Sequence, residues 1–443
     1  RGMSGQLRPG RGRVGQSGMH PAPLLQACTD LLALVLKFDH PADAVVGRFF
    51  REHRSLGPRE RATLTESVYN VLRKKQYFEH LAPSGSGSKA RRLAVLGFHG
   101  EREFLFGALN DQEKTWFNAC AQVRPDELMD RHRHNLPDWL ADRLKKEVGD
   151  DFWPLAQSLA EPGTLDLRVN PFKAKREDVV KELARNSVRA VPTPYSPWGL
   201  RVAEKTNLTR LDAFVRGDFE VQDEGSQLLA LLVDAHRGEM VVDFCAGAGG
   251  KTLALGAAMR STGRLYAFDT SAHRLDALKP RLARSGLSNV HPVAISHERD
   301  ERIKRLAGKI DRVLIDAPCS GLGTLRRNPD LKWRQTPEVV AQMAALQLLI
   351  IQSASRLLKP GGRLVYATCS LLEEENEQVA RQFSDQNPDF EALDVAGILD
   401  ALKVPQAQSL SRGGEAGASQ LRLWPHRHKV DGFFAAVWQK KPA

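Results

Sequence analysis

The chain has 443 residues, 42% hydrophobic and 26% charged, with 64 Lys and Arg against 53 Asp and Glu for a net charge of +11. That much apolar chain can bury a large core, its length suggests roughly two to four domains, and the positive excess favours a polyanionic partner through phosphate contacts. Five cysteines without a Cys-x-x-Cys pair argue against a disulfide framework and a structural zinc site, and no apolar run of membrane-span length or signal-peptide type is expected, which predicts a cytoplasmic protein with neither metal nor membrane.

Residues 1–20 are rich in Gly and Arg and predict a disordered basic tail. From 21 to 155 the apolar residues recur at helical spacing, as in Leu24, Leu25, Cys28, Leu31, Leu32 and Val35 and again in Leu64, Val68, Val71 and Leu72, which predicts an all-helical domain. Within it, Leu56-Gly57-Pro58-Arg59 breaks one helix from the next. The stretch Pro83 to Lys89 reads as a loop, with another helix beginning at Arg91 and Arg92.

Residues 156–220 predict a small α+β module, with a strand at Leu165–Val169, a helix at Arg176–Arg185 and short strands between Val188 and Val202 cut by prolines. From 221 to 443 the pattern becomes apolar strand, glycine turn, helix, repeated. Strands are expected at Val241–Phe244, Arg264–Asp269 and Val290–Ile295, before Cys319 and Cys369, and at Phe433–Trp438. Alternation of this kind predicts an α/β domain built on a parallel, doubly wound sheet.

The first βα turn, Asp243-Phe244-Cys245-Ala246-Gly247-Ala248-Gly249-Gly250-Lys251-Thr252, places small residues where a helix N-terminus meets a ligand. A P-loop would need glycine where Cys245 stands, and the dinucleotide fingerprint lacks its third glycine. Asp269 ends the next strand, nineteen positions after Gly250, well placed to accept hydrogen bonds from the two hydroxyls of an adenosine ribose. S-adenosylmethionine carries such a ribose. A helix-capping role for Asp269 is the competing reading.

Cys319, in Asp316-Ala317-Pro318-Cys319-Ser320-Gly321, and Cys369, in Tyr366-Ala367-Thr368-Cys369-Ser370, each follow an apolar strand. Ligands of open α/β sheets bind at the carboxyl ends of strands, so the two thiols are candidates for one crevice. A thiolate adding to carbon 6 of a pyrimidine makes carbon 5 nucleophilic toward a methyl sulfonium, and the carbon 5 proton must then leave before the thiol is eliminated. A second thiol would serve that release, and Asp316 is placed to hold the amino group and ring nitrogen 3 of a cytosine. For Cys28, Cys120 and Cys245 the reading is a small buried hydrophobe.

These segments resemble the RNA cytosine-5 methyltransferases of the RsmB/Nop2/Sun family. The match extends through Leu322-Gly323-Thr324, Arg326-Arg327-Asn328-Pro329-Asp330-Leu331-Lys332-Trp333 and Glu375-Asn376-Glu377, in family order. The segment Gln222 to Gln227 resembles the one that opens the catalytic domain, and Asp431-Gly432-Phe433-Phe434 the one that closes it. The resemblance implies that Cys369 is the nucleophile, that Cys319 assists release, that Lys251 orients Asp316, and that Asp243 and Asp269 surround the cofactor. The implied cofactor set is Asp243, Cys245, Ala246, Gly247, Ala248, Gly249, Gly250, Lys251, Asp269, Arg274, Ser296 and Asp316. Leu56 to Arg61 and Val68 to Arg73 resemble the NusB-like RNA-binding domain of the bacterial ribosomal members (Sun/Fmu, or RsmB, type).

The expected architecture is therefore a Rossmann-like S-adenosylmethionine-dependent methyltransferase domain preceded by an all-helical NusB-like domain and a small α+β RNA-binding module. Two departures stand out. The family usually reads Ala-Ala-Pro-Gly-Gly-Lys where this chain has Ala246-Gly247-Ala248-Gly249-Gly250-Lys251, which predicts a freer cofactor loop. An aspartate near the adenine is replaced after the third strand by Ser296-His297-Glu298, so Ser296 or Glu298 is expected to substitute. The partner implied is RNA, ribosomal by resemblance, with the protein a monomer; a transfer RNA methyltransferase and a non-catalytic RNA assembly factor are the alternatives, and a Rossmann oxidoreductase is disfavoured by the failed fingerprint.

Overall fold

The computed structural model describes residues 18–413 and 417–443, so most of the expected basic tail lies outside the described residues. Two compact units divide the chain at 135/136. In the first, the helix Pro21–Val35 packs against Pro58–Arg73 and Lys89–Gly97. Leu25, Cys28 and Leu32 on the first helix and Leu64, Val68 and Val71 on the second, spaced at three and four residues, are buried, as are Leu31, Leu72 and Leu93. Ser88 starts Lys89–Gly97 by accepting from the Arg91 amide, so that helix begins two residues before the expected point.

The helical region expected to run to 155 is split by that division. The helices Asp138–Val148 and Phe152–Leu159 belong to the second unit, where Leu136, Leu140, Leu144, Leu155 and Leu159 share a core with Leu322, Leu325, Val340, Leu371 and Trp424. Helical periodicity marks an apolar face without saying which core it joins.

The α+β module is a four-stranded antiparallel sheet of β1 (Leu165–Val169), β2 (Ala190–Pro192), β3 (Gly199–Val202) and β4 (Phe219–Val221), in the order β2-β3-β1-β4, with the helix Arg176–Arg185 on its core. It is joined to the following domain by buried polar groups. Asp166 accepts from Arg201 Nε at 2.9 Å and from the Glu224 amide at 3.1 Å, while Glu224, fully buried, accepts from the Tyr195 and Ser196 amides at 2.8 and 2.9 Å. Arg168, 1% exposed, donates to Gln222 Oε1 at 2.8 Å and to the Gly250 carbonyl at 3.3 Å.

The large sheet has β5 (Met240–Asp243), β6 (Arg264–Asp269), β7 (Val290–Ala294), β8 (Ile310–Asp316), β9 (Leu358–Thr368), β10 (Phe390–Leu393), β11 (Ser411–Arg412), β12 (Gln420–Leu423) and β13 (Phe433–Lys440). Its order is β11-β12-β13-β9-β8-β5-β6-β7, with β10 also on β13. Only β5 to β9 pair in parallel; β13 runs antiparallel beside β9, and β10 and β12 antiparallel beside β13, so the sheet is mixed where a parallel one was expected. The reversal follows from connectivity, because β12 passes to its neighbour β13 through residues 424–432 alone, a connection too short for a parallel crossover, and β13 therefore runs against β12. The order of strand addition reverses between β5 and β8, since the chain runs outward through β6 and β7 and returns to place β8 on the other side of β5, the position where open α/β sheets form a ligand crevice.

Helices cover both faces. Glu224–Val233 and Gly250–Ala258 bury one face, while Pro337–Ser355 and Glu377–Gln386 bury the other. Pro337–Ser355 corrects one expectation, since its 19 residues are long and apolar enough to cross a membrane. Here Val340, Ile350, Ile351 and Ala354 face the protein core and Gln347 is fully buried. Replacing Glu224 by Ala should destabilise the second unit by about 2–5 kcal/mol, because two buried amides lose their acceptor. Thermal and urea denaturation of the variant beside the wild type will measure it.

Candidate active site

The crevice is built from four strand ends. Asp243 closes β5, Asp269 closes β6, Asp316 closes β8, and Cys369 follows the last residue of β9. Parallel pairing sets Asp316 opposite Ala367. As a result Cys319, three residues past one strand, and Cys369, one past the other, lie with their sulfurs 3.3 Å apart. The hydrogen bond to Cys369, together with burial, pushes the Cys319 thiol well above its usual range, so it stays protonated at neutral pH.

Lys251, from the first turn of the helix after the glycine loop, donates to Asp316 Oδ2 at 2.8 Å and lies 5.9 Å from the centre of the Phe433 ring. Burial alone would lower its pKa, but Asp316 outweighs this, with Cys369 and Asp243 adding to it, and the ammonium is held above its ordinary value. The four residues expected to do chemistry, Cys319, Cys369, Asp316 and Lys251, thus share one crevice.

The glycine loop is fixed by the neighbouring strands. Phe244 N–H donates to Leu314 O at 2.8 Å, and the amides of Cys245 and Ala246 both reach Phe268 O, at 3.1 and 2.9 Å. Cys245 is held at φ 133°, a conformation that costs a non-glycine residue about 1–3 kcal/mol. Gly249 sits at φ 89°, where a Cβ would meet Leu278 Cδ1 at 2.2 Å, while a Cβ at Gly247 would meet nothing within 4 Å. The missing proline is offset from outside the loop. Arg281 Nη1 donates to Ala248 O at 2.9 Å, and Arg168 reaches the Gly250 carbonyl.

Asp269 takes the Gly247 amide on Oδ2 and the Ser271 amide on Oδ1, each at 2.8 Å. Each oxygen keeps a lone pair, so the loop contact and a further acceptor role coexist. Asp243, 1% exposed, receives the Thr252 hydroxyl on Oδ2 at 2.6 Å, and burial pushes its carboxyl up to about 7. Its Oδ1 is buried with no hydrogen-bond partner among the described residues. An orphaned acceptor beside an open glycine and a two-oxygen acceptor is a set that fits a cationic nucleoside.

Two of the expected cofactor residues stand differently from the rest. The Arg274 side chain is exposed, and its amide donates to the Ser271 hydroxyl at the start of Ala272–Ser285. Ser296 gives its amide and hydroxyl to Asp300 Oδ2, at 2.8 and 3.0 Å, so a carboxylate does return to the end of β7 from four residues further on. The hydrogen bond from Arg302, reinforced by the Ser296 and Arg302 amides, holds that carboxyl well below the usual carboxylate range. The signal was present as an aspartate ahead of the short helix Glu301–Lys304, in the N-cap position.

Sequence reasoning also missed a buried charge cluster. Asp223 and Asp431 receive Arg326 and Arg327: Arg326 Nη2 lies 3.0 Å from Asp431, and Arg327 reaches Asp431 at 2.8 Å and Asp223 at 2.9 Å. It ties the start and end of the catalytic domain to the chain that follows Cys319. Gly323 completes the tie, its amide donating to Cys369 O at 2.7 Å and its carbonyl accepting from Gly432 N–H at 2.8 Å.

Comparison with known proteins places this geometry. The family described as 16S rRNA methyltransferase RsmB/F matches residues 230–439, and the ferredoxin-like domain of the RsmF/B-like methyltransferases matches residues 136–209. A probable ribosomal RNA small subunit methyltransferase B from Synechocystis is 30% identical, over 91% of this chain and 96% of its own. The crystal structure of PH0851 superposes with a TM-score of 0.79 at 26% identity, covering 96% of this chain and 100% of its own. A methyltransferase homologue from Pyrococcus horikoshii gives 0.59 at 30% identity, over 72% of this chain and 100% of its own. With a relative matched along nearly its whole length, and the small-sheet and large-sheet regions each matched by a family model, the chain belongs to the RsmB/F family of rRNA methyltransferases.

Proposed function

We propose that the protein methylates carbon 5 of a cytosine in small-subunit ribosomal RNA through a covalent bond from Cys369 to carbon 6. The observation that carries the reading is the pair of thiols 3.3 Å apart beside the Lys251–Asp316 ion pair. S-adenosylmethionine, when bound over the glycine loop, supplies the electrophilic methyl group that carbon 5 attacks. Asp269 would receive the two ribose hydroxyls, Asp243 would face the positive charge of the methionine end, and Ser296 with Asp300 would lie toward the adenine.

Cys369 adds to carbon 6 as the thiolate and makes carbon 5 nucleophilic. Asp316, steadied by Lys251, presents its carboxylate to the exocyclic amino group of cytosine, a donor that uracil lacks. After methyl transfer water takes the carbon 5 proton, the electron pair of that bond restores the ring double bond, and the carbon 6–sulfur bond breaks with its electron pair returning to Cys369. Cys319, kept as a thiol 3.3 Å away, donates its S–H toward the departing sulfur and so assists release. The helical domain, proposed to be NusB-like, and the small sheet hold the RNA through phosphate contacts, in keeping with the net charge of +11. The target base must leave its stack to reach the floor of the crevice.

Cys369→Ser should abolish both methylation and the covalent RNA adduct, whereas Cys319→Ser should accumulate a methylated adduct that releases slowly. Tritium transfer from labelled S-adenosylmethionine and a denaturing gel read both. A stable adduct from Cys369→Ser alone would reverse the roles.

A second test uses Asp243. Its carboxyl is raised to about 7, so in the free protein it is largely protonated below that pH. A cofactor with net positive charge favours the ionised form, so binding should release a proton at pH 6 and tighten as pH rises toward about 7, levelling off above. Calorimetry in two buffers of different ionisation enthalpy counts the proton. Asp243→Asn should remove the release; a release that persists in this variant places the titrating group elsewhere.

A further inference from the structure

Glu375 is a fully buried carboxylate for which the proposed chemistry has no task. Its side chain stands between the two loops that carry the thiols. From the loop after β8, the Ser320 amide donates to Oε1 and the Ser320 hydroxyl to Oε2, both at 2.7 Å. From the loop after β9, the Ser370 hydroxyl donates to Oε2. Ser320 directly follows Cys319 and Ser370 directly follows Cys369, so one carboxylate holds the neighbour of each thiol.

Gln347 anchors the carboxylate in turn, donating to Oε1 at 3.2 Å and to Pro318 O at 2.9 Å, one residue before Cys319. The Tyr366 hydroxyl fixes the Glu375 backbone carbonyl at 2.6 Å. Asn376 adds a bond from Nδ2 to Ser370 O at 2.9 Å. Four donors converge on two oxygens in a dry site, which makes the arrangement stiff and costly to leave half-satisfied.

We propose that Glu375 is a positioning residue that sets the distance between Cys319 and Cys369 by holding both cysteine loops on one carboxylate. The role rests on the covalent reading given above, in which the second thiol must stay beside the bond it helps to break. Without the clamp the loops keep their strand anchors, but the sulfurs lose their fixed approach. The first half of the reaction then continues and the release half slows.

The separation can be measured without RNA or methyl transfer. Diamide oxidises two adjacent thiols to a disulfide while being reduced to the hydrazine, and the rate of joining Cys319 to Cys369 reports how often the sulfurs meet. Glu375→Ala should slow this cross-link by at least about tenfold, since misplacement of about 1 Å is enough for such an effect. Glu375→Gln, which keeps the span but loses the charge, should fall between. S-adenosylmethionine affinity should remain within about twofold, and single turnover with RNA should show the adduct building up as expected for Cys319→Ser. If Glu375→Ala does not fold, Ser320→Ala and Ser370→Ala each remove one arm and should slow cross-linking in the same direction. Cross-linking at the wild-type rate in these variants overturns the proposal, as does a parallel loss of cofactor affinity. Methylation that survives Cys369→Ser would defeat the covalent reading and leave the cross-linking result standing.

Discussion

The parallel pairing of β8 with β9 is the constraint on which the site depends. Asp316 lies opposite Ala367 in that ladder, and every later position on either strand end inherits the alignment. Side chains fifty residues apart in sequence are thereby brought to 3.3 Å. A slip of one residue would turn the apolar set of β9 to the wrong face and separate the thiols together. The core on both faces of this ladder, Val313, Ile315, Leu364 and Tyr366 on one and Leu314, Val365 and Ala367 on the other, therefore works for catalysis as much as for stability.

Around that ladder the charges are arranged by burial. Asp243 is raised by loss of solvent, Lys251 is kept cationic by Asp316, and Cys319 is kept as a thiol by its neighbour and its burial. These are three different protonation outcomes within one crevice, each with its own cause. The glycine loop adds a conformational cost at Cys245, and the chain meets it with amide contacts to Leu314 and Phe268 and with two arginines on the loop carbonyls. A strained turn at a ligand-facing position is what tight backbone approach requires.

Local pattern was enough to find many elements. Leu165–Val169, Arg176–Arg185 and Arg264–Asp269 have the expected limits, because each is a short run of clear period bounded by turn residues. The pattern did not reveal partners. Asp138–Val148 and Phe152–Leu159 read as more of the helical region, yet their leucines complete the core beneath the cysteine loops. β13 read as one more strand of a parallel sheet, since period two is blind to direction. Of the site, the thiols, Lys251, Asp316 and the glycine loop could be picked out as motifs. Glu375 and the Asp223–Asp431 cluster could not be given a task, because a buried carboxylate acquires its meaning only from distant donors.

Arg168 has a consequence for how divisible the molecule is. It belongs to a strand of the small sheet, yet its guanidinium ends on Gln222 and on a carbonyl of the cofactor loop, and Asp166 and Glu224 cross the same seam. The seam is made of paired polar groups sealed from water, unlike the smooth apolar patch along which modules are commonly exchanged. A fragment begun at residue 221 would leave the Glu224 carboxylate without the Tyr195 and Ser196 amides and the Gly250 carbonyl without its donor. The small sheet and the large one therefore form a single inheritable piece: recombination that swapped one without the other would have to supply both halves of every hydrogen bond along the join.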